Sequence, residues 1–262
     1  MGDVDTIMTA VDGTGIAIVT LNRPEKRNAV SLAMWRELGH LFLELNARDD
    51  VRVIILTGAG DNFCGGADIS EFSKVRHDVE SGQIYEAAVE AANLAIRDCG
   101  KPTIAAISGY AIGGGCGLAL ACDFRIADRT ARMGITAARL GIVYSTVECD
   151  LLYRQVGLAN AKRVLFSAQH FPIDECAAMG LVDVVAESPV LVTAGAYAAT
   201  IAANAPLSVA GSKLILEAIA AGTAKARKQD IDNVIDRAMT SADYREGAKA
   251  FAEKRRPIFT GR

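Results

Sequence analysis

Short apolar runs separated by turn residues recur along the first half of the chain and predict strands that alternate with helices. Gly15–Leu21, Val51–Thr57 and Thr103–Ser108 are rich in β-branched or small apolar residues and end in loops. Behind the capping residue Ser31, apolar residues recur at helical spacing: Met34, Leu38, Leu41, Phe42 and Leu45. Strands that alternate with helices pair in parallel through crossovers, so the pattern predicts an α/β core.

The pattern changes along the rest of the chain. Residues 70–83 are mostly polar and predict a mobile surface segment, and the Ala-rich stretch 84–99 predicts a helix. Towards the end of the chain helical patterns dominate, and Pro206 can begin one of these helices. We therefore divide the chain into an α/β part, residues 1–195, and a helical part, residues 196–262.

Composition narrows the class of protein. The chain has 262 residues, 51% of them hydrophobic and 23% charged, which is typical of a folded globular protein. The net charge of −3 gives no reason to expect nucleic-acid binding. We expect no membrane span, because no apolar run approaches the ~18 residues required. The N-terminus lacks the pattern of a signal peptide, and the scattered cysteines indicate a reduced, cytoplasmic protein. Metal-ligand spacing is absent, so we expect no metal.

Two glycine-rich stretches follow predicted strands, at residues 63–69 and 109–117. Neither matches a phosphate-binding P-loop or a dinucleotide fingerprint. Gly113–Gly115 precede the apolar run Leu118–Cys122, which indicates the start of a buried helix. Unpaired N–H groups at such a start suit a developing negative oxygen, because the helix dipole reinforces them. Close packing of the helix start against a strand explains the same glycines equally well.

Five motifs in order carry a resemblance to a known family: LNRPEKRNAV at 21–30, VIILTG at 53–58, FCGGADI at 63–69, KPTIAAISGYAIGGGCGLALACDFRIA at 101–127 and FAEKRRPIF at 251–259. The sequence resembles the crotonase superfamily, the enoyl-CoA hydratase/isomerase group, nearly from end to end. The resemblance implies a ββα spiral core and a C-terminal helical region that builds homotrimers, commonly dimers of trimers. It also implies an acyl-coenzyme A substrate and no permanently bound cofactor.

The resemblance also assigns an oxyanion hole. In this family, two backbone N–H groups point at the thioester carbonyl oxygen and stabilise the enolate that forms. By motif, these donors are Ala67 in GGADI and Gly114, the middle glycine of the second GGG.

Further residues are implied to bind coenzyme A. The adenine lies against the first glycine-rich segment, here Gly65, Gly66, Asp68 and Ile69. Basic residues near the chain end reach the phosphates, often those of a neighbouring subunit. The candidates are Lys254 and Arg255, together with Arg256, although a solvated helix end accounts for them equally.

The sequence departs from the hydratase pattern at two positions. A hydratase of this family carries one glutamate directly after GGGC and a second after the next strands, and the pair activates the water that is added. This chain has Gly117 and Ala137 at those positions, and neither can move a proton. Ordinary hydration is therefore doubtful.

Tyr144 is the first side-chain candidate in their place. The segment around it and the C-terminal tail resemble methylmalonyl-CoA decarboxylases, in which a tyrosine at this position lines the acyl pocket. That family has histidine where Ala67 stands here, so the likeness is partial. A phenol with a pKa of ~10 suits a hydrogen-bond donor better than a base, and simple packing against an apolar pocket is the alternative.

Glu148 is the second candidate. If a helix begins near Ser145, Glu148 lies one turn after Tyr144 on the same face. A capping box between Ser145 and Glu148 explains the same two residues without chemistry. Asp68 is expected to cap the turn that follows it.

Two classes of function remain open. The first is an enzyme that stabilises a thioester enolate, as an isomerase, a decarboxylase using Tyr144, or a lyase with replaced acid/base groups. The second is a protein that binds acyl-CoA without turnover. The intact oxyanion motifs favour the enzyme, whereas Gly117 and Ala137 favour the binder.

Overall fold

The computed structural model describes residues 5–262, and strands and helices alternate along most of this range. The strands are β1 (Ile7–Val11), β2 (Ile16–Leu21), β3 (Val53–Gly58), β4 (Thr103–Ile107), β5 (Tyr110–Ile112), β6 (Phe124–Asp128), β7 (Arg132–Gly134), β8 (Phe171–Pro172) and β9 (Val184–Ala186). The helices are α1 (Leu32–Ala47), α2 (Phe72–Val75), α3 (Val79–Arg97), α4 (Gly114–Ala121), α5 (Thr146–Ser167), α6 (Ile173–Met179), α7 (Val190–Ala202), α8 (Pro206–Ala220), α9 (Lys228–Thr240) and α10 (Ala242–Ala252).

Six strands form the main sheet, in the order β1-β2-β3-β4-β6-β9. β1 pairs antiparallel with β2, and every other neighbouring pair is parallel, as the alternation of strands and helices predicts. A second sheet has the order β5-β7-β8. The sequence did not predict β1 or this second sheet. The strands of the second sheet are too short to show a periodic pattern.

Both faces of the main sheet are buried. On β3, Ile54 and Leu56 pack into one hydrophobic cluster with residues of α1, α3 and α4, whereas Val53 and Ile55 pack into another with residues of α7. A strand covered on both faces reads as a continuous apolar run, which explains why β3 was recognisable from sequence. The sheet therefore holds rigidly the loops that leave its strands.

Residues 70–83 lie at the surface as predicted and their mobility stays a prediction, but the prediction that the next helix begins at residue 84 is wrong. A 3-10 turn (Ile69–Glu71) and α2 occupy the first part of this stretch, and α3 begins at Val79 instead of residue 84. Asp78 and Ser81 form a capping box, in which each side chain accepts the backbone N–H of the other. This cap begins the helix within a polar stretch, where hydrophobic periodicity gives no signal.

The C-terminal helices differ in what they cover. α7 packs against β2, β3, β4 and β6, so it closes one face of the sheet. The division predicted at residues 195 and 196 falls inside α7, and the separate role of residues 196–262 stays a prediction. α8 begins at Pro206 as expected and packs against α9.

Candidate functional site

The first glycine-rich loop follows β3 and turns sharply at Gly66. Gly66 has φ 100°, and a Cβ there would lie 2.7 Å from the carbonyl oxygen of Ile112. Only glycine fits this turn, because an L side chain is both strained and blocked there. The turn presents the backbone N–H of Ala67, the next residue.

Asp68 anchors this loop. Its carboxylate accepts hydrogen bonds from Arg23 at 2.8 Å and Lys26 at 3.0 Å, and it caps the following turn at the N–H of Ser70. Burial alone raises the pKa of Asp68, but the bonds from Ser70, Arg23 and Lys26 outweigh burial and hold the pKa well below its usual range. The predicted cap is confirmed, and Asp68 lies beside the cavity described below without lining it.

The second glycine-rich loop starts α4. Gly113 has φ 57° and ψ −123°, a conformation that glycine adopts at little cost, and Gly114 is the first helical residue. The indole of Trp35 packs so closely that a Cβ on Gly114 would lie 2.9 Å from its ring. The predicted buried helix start is confirmed, since seven of the eight residues of α4 are buried.

The amides of Ala67 and Gly114 lie close together. A Cβ built on Gly114 would be 3.7 Å from the Ala67 nitrogen, and one built on Gly66 would be 3.5 Å from the Gly114 nitrogen. Within residues 5–262, neither N–H donates a hydrogen bond. Two unpaired donors at one spot, one of them at a helix N-terminus, form a ready site for a negative oxygen.

These amides open onto a cavity of about 80 Å³. Two loops, five helices (α1 to α5) and the segment before α5 supply its walls, which are Trp35, Gly65, Gly66, Ala67, Ile69, Phe72, Arg76, Tyr85, Glu86, Val89, Gly113, Gly114, Thr136, Ala137, Leu140, Ile142, Tyr144 and Glu148. The structure therefore brings together the four residues proposed as catalytic: Ala67, Gly114, Tyr144 and Glu148.

Glu148 is the buried carboxylic acid of this cavity, with 5% of its surface exposed. Its Oε2 accepts the backbone N–H of Ser145 at 3.3 Å, and its own N–H donates to Ser145 Oγ at 3.3 Å. The predicted capping box is thus confirmed. Burial raises the pKa of Glu148 to about 7, and the nearby carboxylate of Glu86 adds to the shift. An acid with this pKa can both accept and return a proton near neutral pH.

Tyr144 lies beside the second loop. Its hydroxyl oxygen would be 3.7 Å from a Cβ on Gly113. Burial and the neighbouring Glu148 raise the pKa of Tyr144 well above 10. The phenol therefore stays protonated at neutral pH and can donate a hydrogen bond.

The cavity also contains residues that sequence reasoning missed. Arg76 pairs with Glu86 at 2.5 Å and lies over the rings of Phe72 and Tyr85, 5.0 and 5.1 Å from their centres. The Tyr85 hydroxyl in turn accepts the indole N–H of Trp35 at 2.9 Å. Arg76 and Phe72 fall in the stretch interpreted as a mobile segment, and Trp35 and Tyr85 have the pattern of ordinary core residues. If α2 and the true start of α3 had been recognised, Phe72, Arg76 and Tyr85 could have been placed at this cavity.

Gly117 and Ala137 are the positions at which the resemblance implies glutamates in a hydratase, and both lie in or next to this site. Ala137 lines the cavity, and a Cβ on Gly117 would be 3.9 Å from Glu148 Oε1. Lys254 and Arg255 follow α10 and do not line the cavity of this chain. Arg255 forms ion pairs with Glu246 and Glu253, so its proposed contact with coenzyme A stays a prediction.

Two general searches complete the description. Residues 5–262 hold no group of three or more His, Cys, Asp or Glu placed to bind a metal ion. In the same range no single helix is long and apolar enough to cross a membrane. α7 and α8, which meet at a sharp bend, are long and apolar enough only when they are counted together.

Comparison with known proteins identifies the fold and the family. The sequence matches the enoyl-CoA hydratase/isomerase family over residues 12–262. A solved enoyl-CoA hydratase/carnithine racemase from Magnetospirillum magneticum superposes with a TM-score of 0.92 at 35% identity, covering 99% of this chain and 97% of that one. The class is thus a crotonase-type α/β protein. This chain belongs to the enoyl-CoA hydratase/isomerase family of the crotonase superfamily, and the resemblance seen in the sequence is confirmed.

Individual relatives act on different compounds. The chain is 35% identical over 250 residues to the short-chain-enoyl-CoA hydratase of Clostridium acetobutylicum, covering 92% of each. It is 33% identical over 251 residues to the (E)-benzylidenesuccinyl-CoA hydratase of Thauera aromatica, covering 94% of this chain and 96% of the relative.

Proposed function

We propose that this chain is an acyl-CoA enzyme that stabilises a thioester enolate and moves a proton with Glu148. The observation that carries the proposal is the meeting of two unpaired N–H groups, from Ala67 and Gly114, with a single buried carboxyl group in one cavity. The amides would bind the thioester oxygen. A pure acyl-CoA carrier would have no need of a titratable acid beside them.

The proton transfer requires only one carboxylate. Glu148 takes a proton from the carbon next to the thioester or from its vinylogous position, and the electron pair moves to the thioester oxygen held by Ala67 and Gly114. The resulting acid returns the proton to the other carbon, so the double bond moves and no water is consumed. Because Gly117 and Ala137 leave the hydratase pair missing, this isomerisation fits the site better than hydration.

Decarboxylation is the second candidate, and Tyr144 favours it. Loss of carbon dioxide from a carboxylated acyl group leaves the same enolate on the same two amides. The phenol of Tyr144 stays protonated because its pKa lies well above 10. It can therefore donate a hydrogen bond to the substrate carboxylate that leaves as carbon dioxide. This route does not need Glu148 as a base.

A panel of thioesters in deuterium oxide distinguishes these reactions. Crotonyl, 3-enoyl, methylmalonyl and saturated acyl-CoA would be incubated with enzyme and analysed by mass spectrometry. We expect double-bond migration with deuterium incorporation from the 3-enoyl thioester and weak hydration of crotonyl-CoA. Loss of carbon dioxide would support decarboxylation instead. Binding without exchange on any thioester would contradict enzymatic function and favour a carrier or sensor.

Glu148→Gln tests the acid/base assignment. The variant removes the titratable proton but keeps the shape of the side chain, so we expect a loss of ~10²–10⁴-fold in turnover. Asp150→Asn is the matched control, because Asp150 lies on the same helix, pairs with Arg154 and does not line the cavity. Equal activity of both variants would disprove the role of Glu148.

We also propose a homotrimer, or a dimer of trimers. The C-terminal helices expose large apolar side chains, which are Leu216, Ile219, Ile235, Met239, Tyr244 and Phe251. Exposed apolar groups of this density indicate an interface. Light scattering should give a mass of three or six chains, and a monomer at micromolar concentration would contradict this.

A further inference from the structure

Asn93 is a buried amide in the C-terminal half of α3, and its side chain has no hydrogen-bond partner among the described residues. The residue is 0% exposed, and neither its Nδ2 nor its Oδ1 forms a hydrogen bond with any of residues 5–262. Leaving both ends of an amide unpaired in the interior is costly, and buried polar groups in proteins are nearly always satisfied by protein or by an ordered water. Asn93 therefore indicates a partner outside the polypeptide.

The amide faces a small space beside Gly117. A Cβ built on Gly117 would lie 3.8 Å from Asn93 Nδ2, 3.9 Å from Asn93 Oδ1 and 3.9 Å from Glu148 Oε1. Apart from Cys116, Leu118 and the backbone of α4 itself, no other atom approaches that point more closely. Two polar groups, one from α3 and one from α5, thus face the same point, and the missing side chain of Gly117 leaves it open.

We propose that one water molecule binds between Asn93 and Oε1 of Glu148, in the space next to Gly117, which makes Asn93 a positioning residue for Glu148. The proposal rests on the proposed role of Glu148 in proton transfer. Asn93 and Gly117 do not line the acyl cavity, whereas Glu148 does. The water therefore acts on Glu148 and not directly on the substrate.

An amide suits both protonation states of Glu148. When Glu148 is ionised, Asn93 Nδ2–H donates to the water and the water donates to Oε1. When Glu148 is protonated, its O–H donates to the water and the water donates to Asn93 Oδ1. Asn93 and the water keep the same number of protons in both states, and only Glu148 changes its protonation. Because Ser145 holds Oε2 through its backbone N–H at 3.3 Å, Oε1 is the oxygen left to exchange the proton.

Several groups around Glu148 already shift its pKa in the wild type. Burial raises the pKa of Glu148 most, the Ser145 N–H lowers it, and the carboxylates of Glu86 and Glu90, both on α3, raise it further. Tyr144 and Cys149 are the neighbours on its own segment, and both are uncharged at neutral pH. Removing the water removes a donor to the carboxylate, so the pKa of Glu148 should rise further.

Two variants test the water site independently. Asn93→Leu replaces the amide by an apolar side chain of similar size, and Gly117→Ala adds a methyl group that would overlap with a water bound next to Gly117. In both, we expect the midpoint of the Glu148 titration to rise by about one pH unit. The readout is the carbon-13 signal of the Glu148 carboxyl in glutamate-labelled protein, which requires no turnover.

Turnover provides the second readout. The pH at which deuterium exchange reaches half its maximum should move upward with the carboxyl titration, and exchange at pH 7 should fall by about fivefold. Ile96→Val is the control, since it also perturbs the buried face of α3 and leaves the amide intact. It should keep the wild-type midpoint in both measurements.

The outcomes separate this inference from the proposed function. Unchanged Glu148 titration in folded Asn93→Leu and Gly117→Ala variants would overturn the water site even if the enzyme is active. A high-resolution crystal structure without a water between Asn93 and Glu148 would do the same. If the wild type shows no turnover but both variants still shift the Glu148 titration relative to it, the water site is supported and the proposed function is rejected. Should Asn93→Leu not fold, Gly117→Ala decides alone.

Discussion

At the scale of single residues, Glu148 combines a structural and a chemical position. Its carboxyl group closes the capping box of α5 and simultaneously lines the cavity beside the amides of Ala67 and Gly114. The capping role and the chemical role that the sequence left open for Glu148 therefore do not exclude each other. The cap fixes one oxygen of the carboxyl group, which leaves the other free to face the interior.

Burial of Glu148 should make the stability of the protein depend on pH. Its pKa is raised from 4.5 to about 7 in the folded state, so folding favours the protonated form. The wild type therefore loses stability as the pH rises from about 4.5 through about 7, by about 3 kcal/mol once Glu148 is fully ionised. Glu148→Gln carries no such charge and should lack this loss.

Urea unfolding of both proteins at pH 5 and pH 8 measures the effect. The difference in the free energy of unfolding between wild type and Glu148→Gln isolates Glu148, because the two proteins share all other titrating groups. A difference that stays constant between these pH values would show that Glu148 titrates normally in the folded protein.

At the scale of elements, the start of α5 separates capping from catalysis. Ser145→Ala removes the Oγ that accepts the Glu148 N–H but keeps the backbone N–H that holds Glu148 Oε2. We expect a loss of ~1 kcal/mol in the free energy of unfolding and exchange activity within about twofold of wild type. Parallel unfolding and deuterium-exchange measurements check this. A large loss of activity would mean that the hydroxyl itself takes part in the reaction.

The loop that presents Ala67 depends on the ion pairs of Asp68. Asp68→Asn leaves Arg23 and Lys26 without their anion, so we expect a loss of ~1–3 kcal/mol at pH 7. Because the pKa of Asp68 is held below its usual range, this contribution is present above the usual pKa. It should be lost gradually as the pH falls from the usual pKa through the lower pKa of the folded state, so the difference between variant and wild type narrows in acid.

Thermal unfolding at pH 7 and at pH 3 makes this comparison. Asp50→Asn serves as the control, because Asp50 pairs with Arg48 on the surface and both side chains are largely exposed. Such exposed pairs contribute little, so the control should stay close to wild type. An Asp68→Asn variant as stable as this control would show that the loop does not need its ion pairs.

At the scale of the whole molecule, the sequence predicted the parts that follow one pattern over a long stretch. β2, β3, β4, α1 and the C-terminal helices have clear periodicity or continuous apolar runs. The motif positions Ala67 and Gly114 were found through the family resemblance. Periodicity could not reveal the second sheet, whose strands have two or three residues, or α2, which begins in a polar stretch.

The cavity itself could be predicted only in part. Tyr144 and Glu148 are four residues apart and lie at a recognisable helix cap, so both could be predicted from the sequence. Arg76 and Asn93 became visible only in three dimensions, because the importance of Arg76 depends on side chains of α2 and α3, and that of Asn93 on what faces it from α4 and α5. A sequence does not show that a buried amide lacks a partner.

The central claim is that the amides of Ala67 and Gly114 stabilise a thioester enolate. Gly114→Pro removes one N–H at the first helical position, where proline fits the helix, and Gly114→Ala adds the same Cβ against Trp35 but keeps the N–H. The most direct measurement is the rate of deuterium exchange at the α-carbon of an acyl-CoA substrate. We predict a loss of ~10²–10³-fold in Gly114→Pro relative to Gly114→Ala. Equal rates in the two variants would contradict the account.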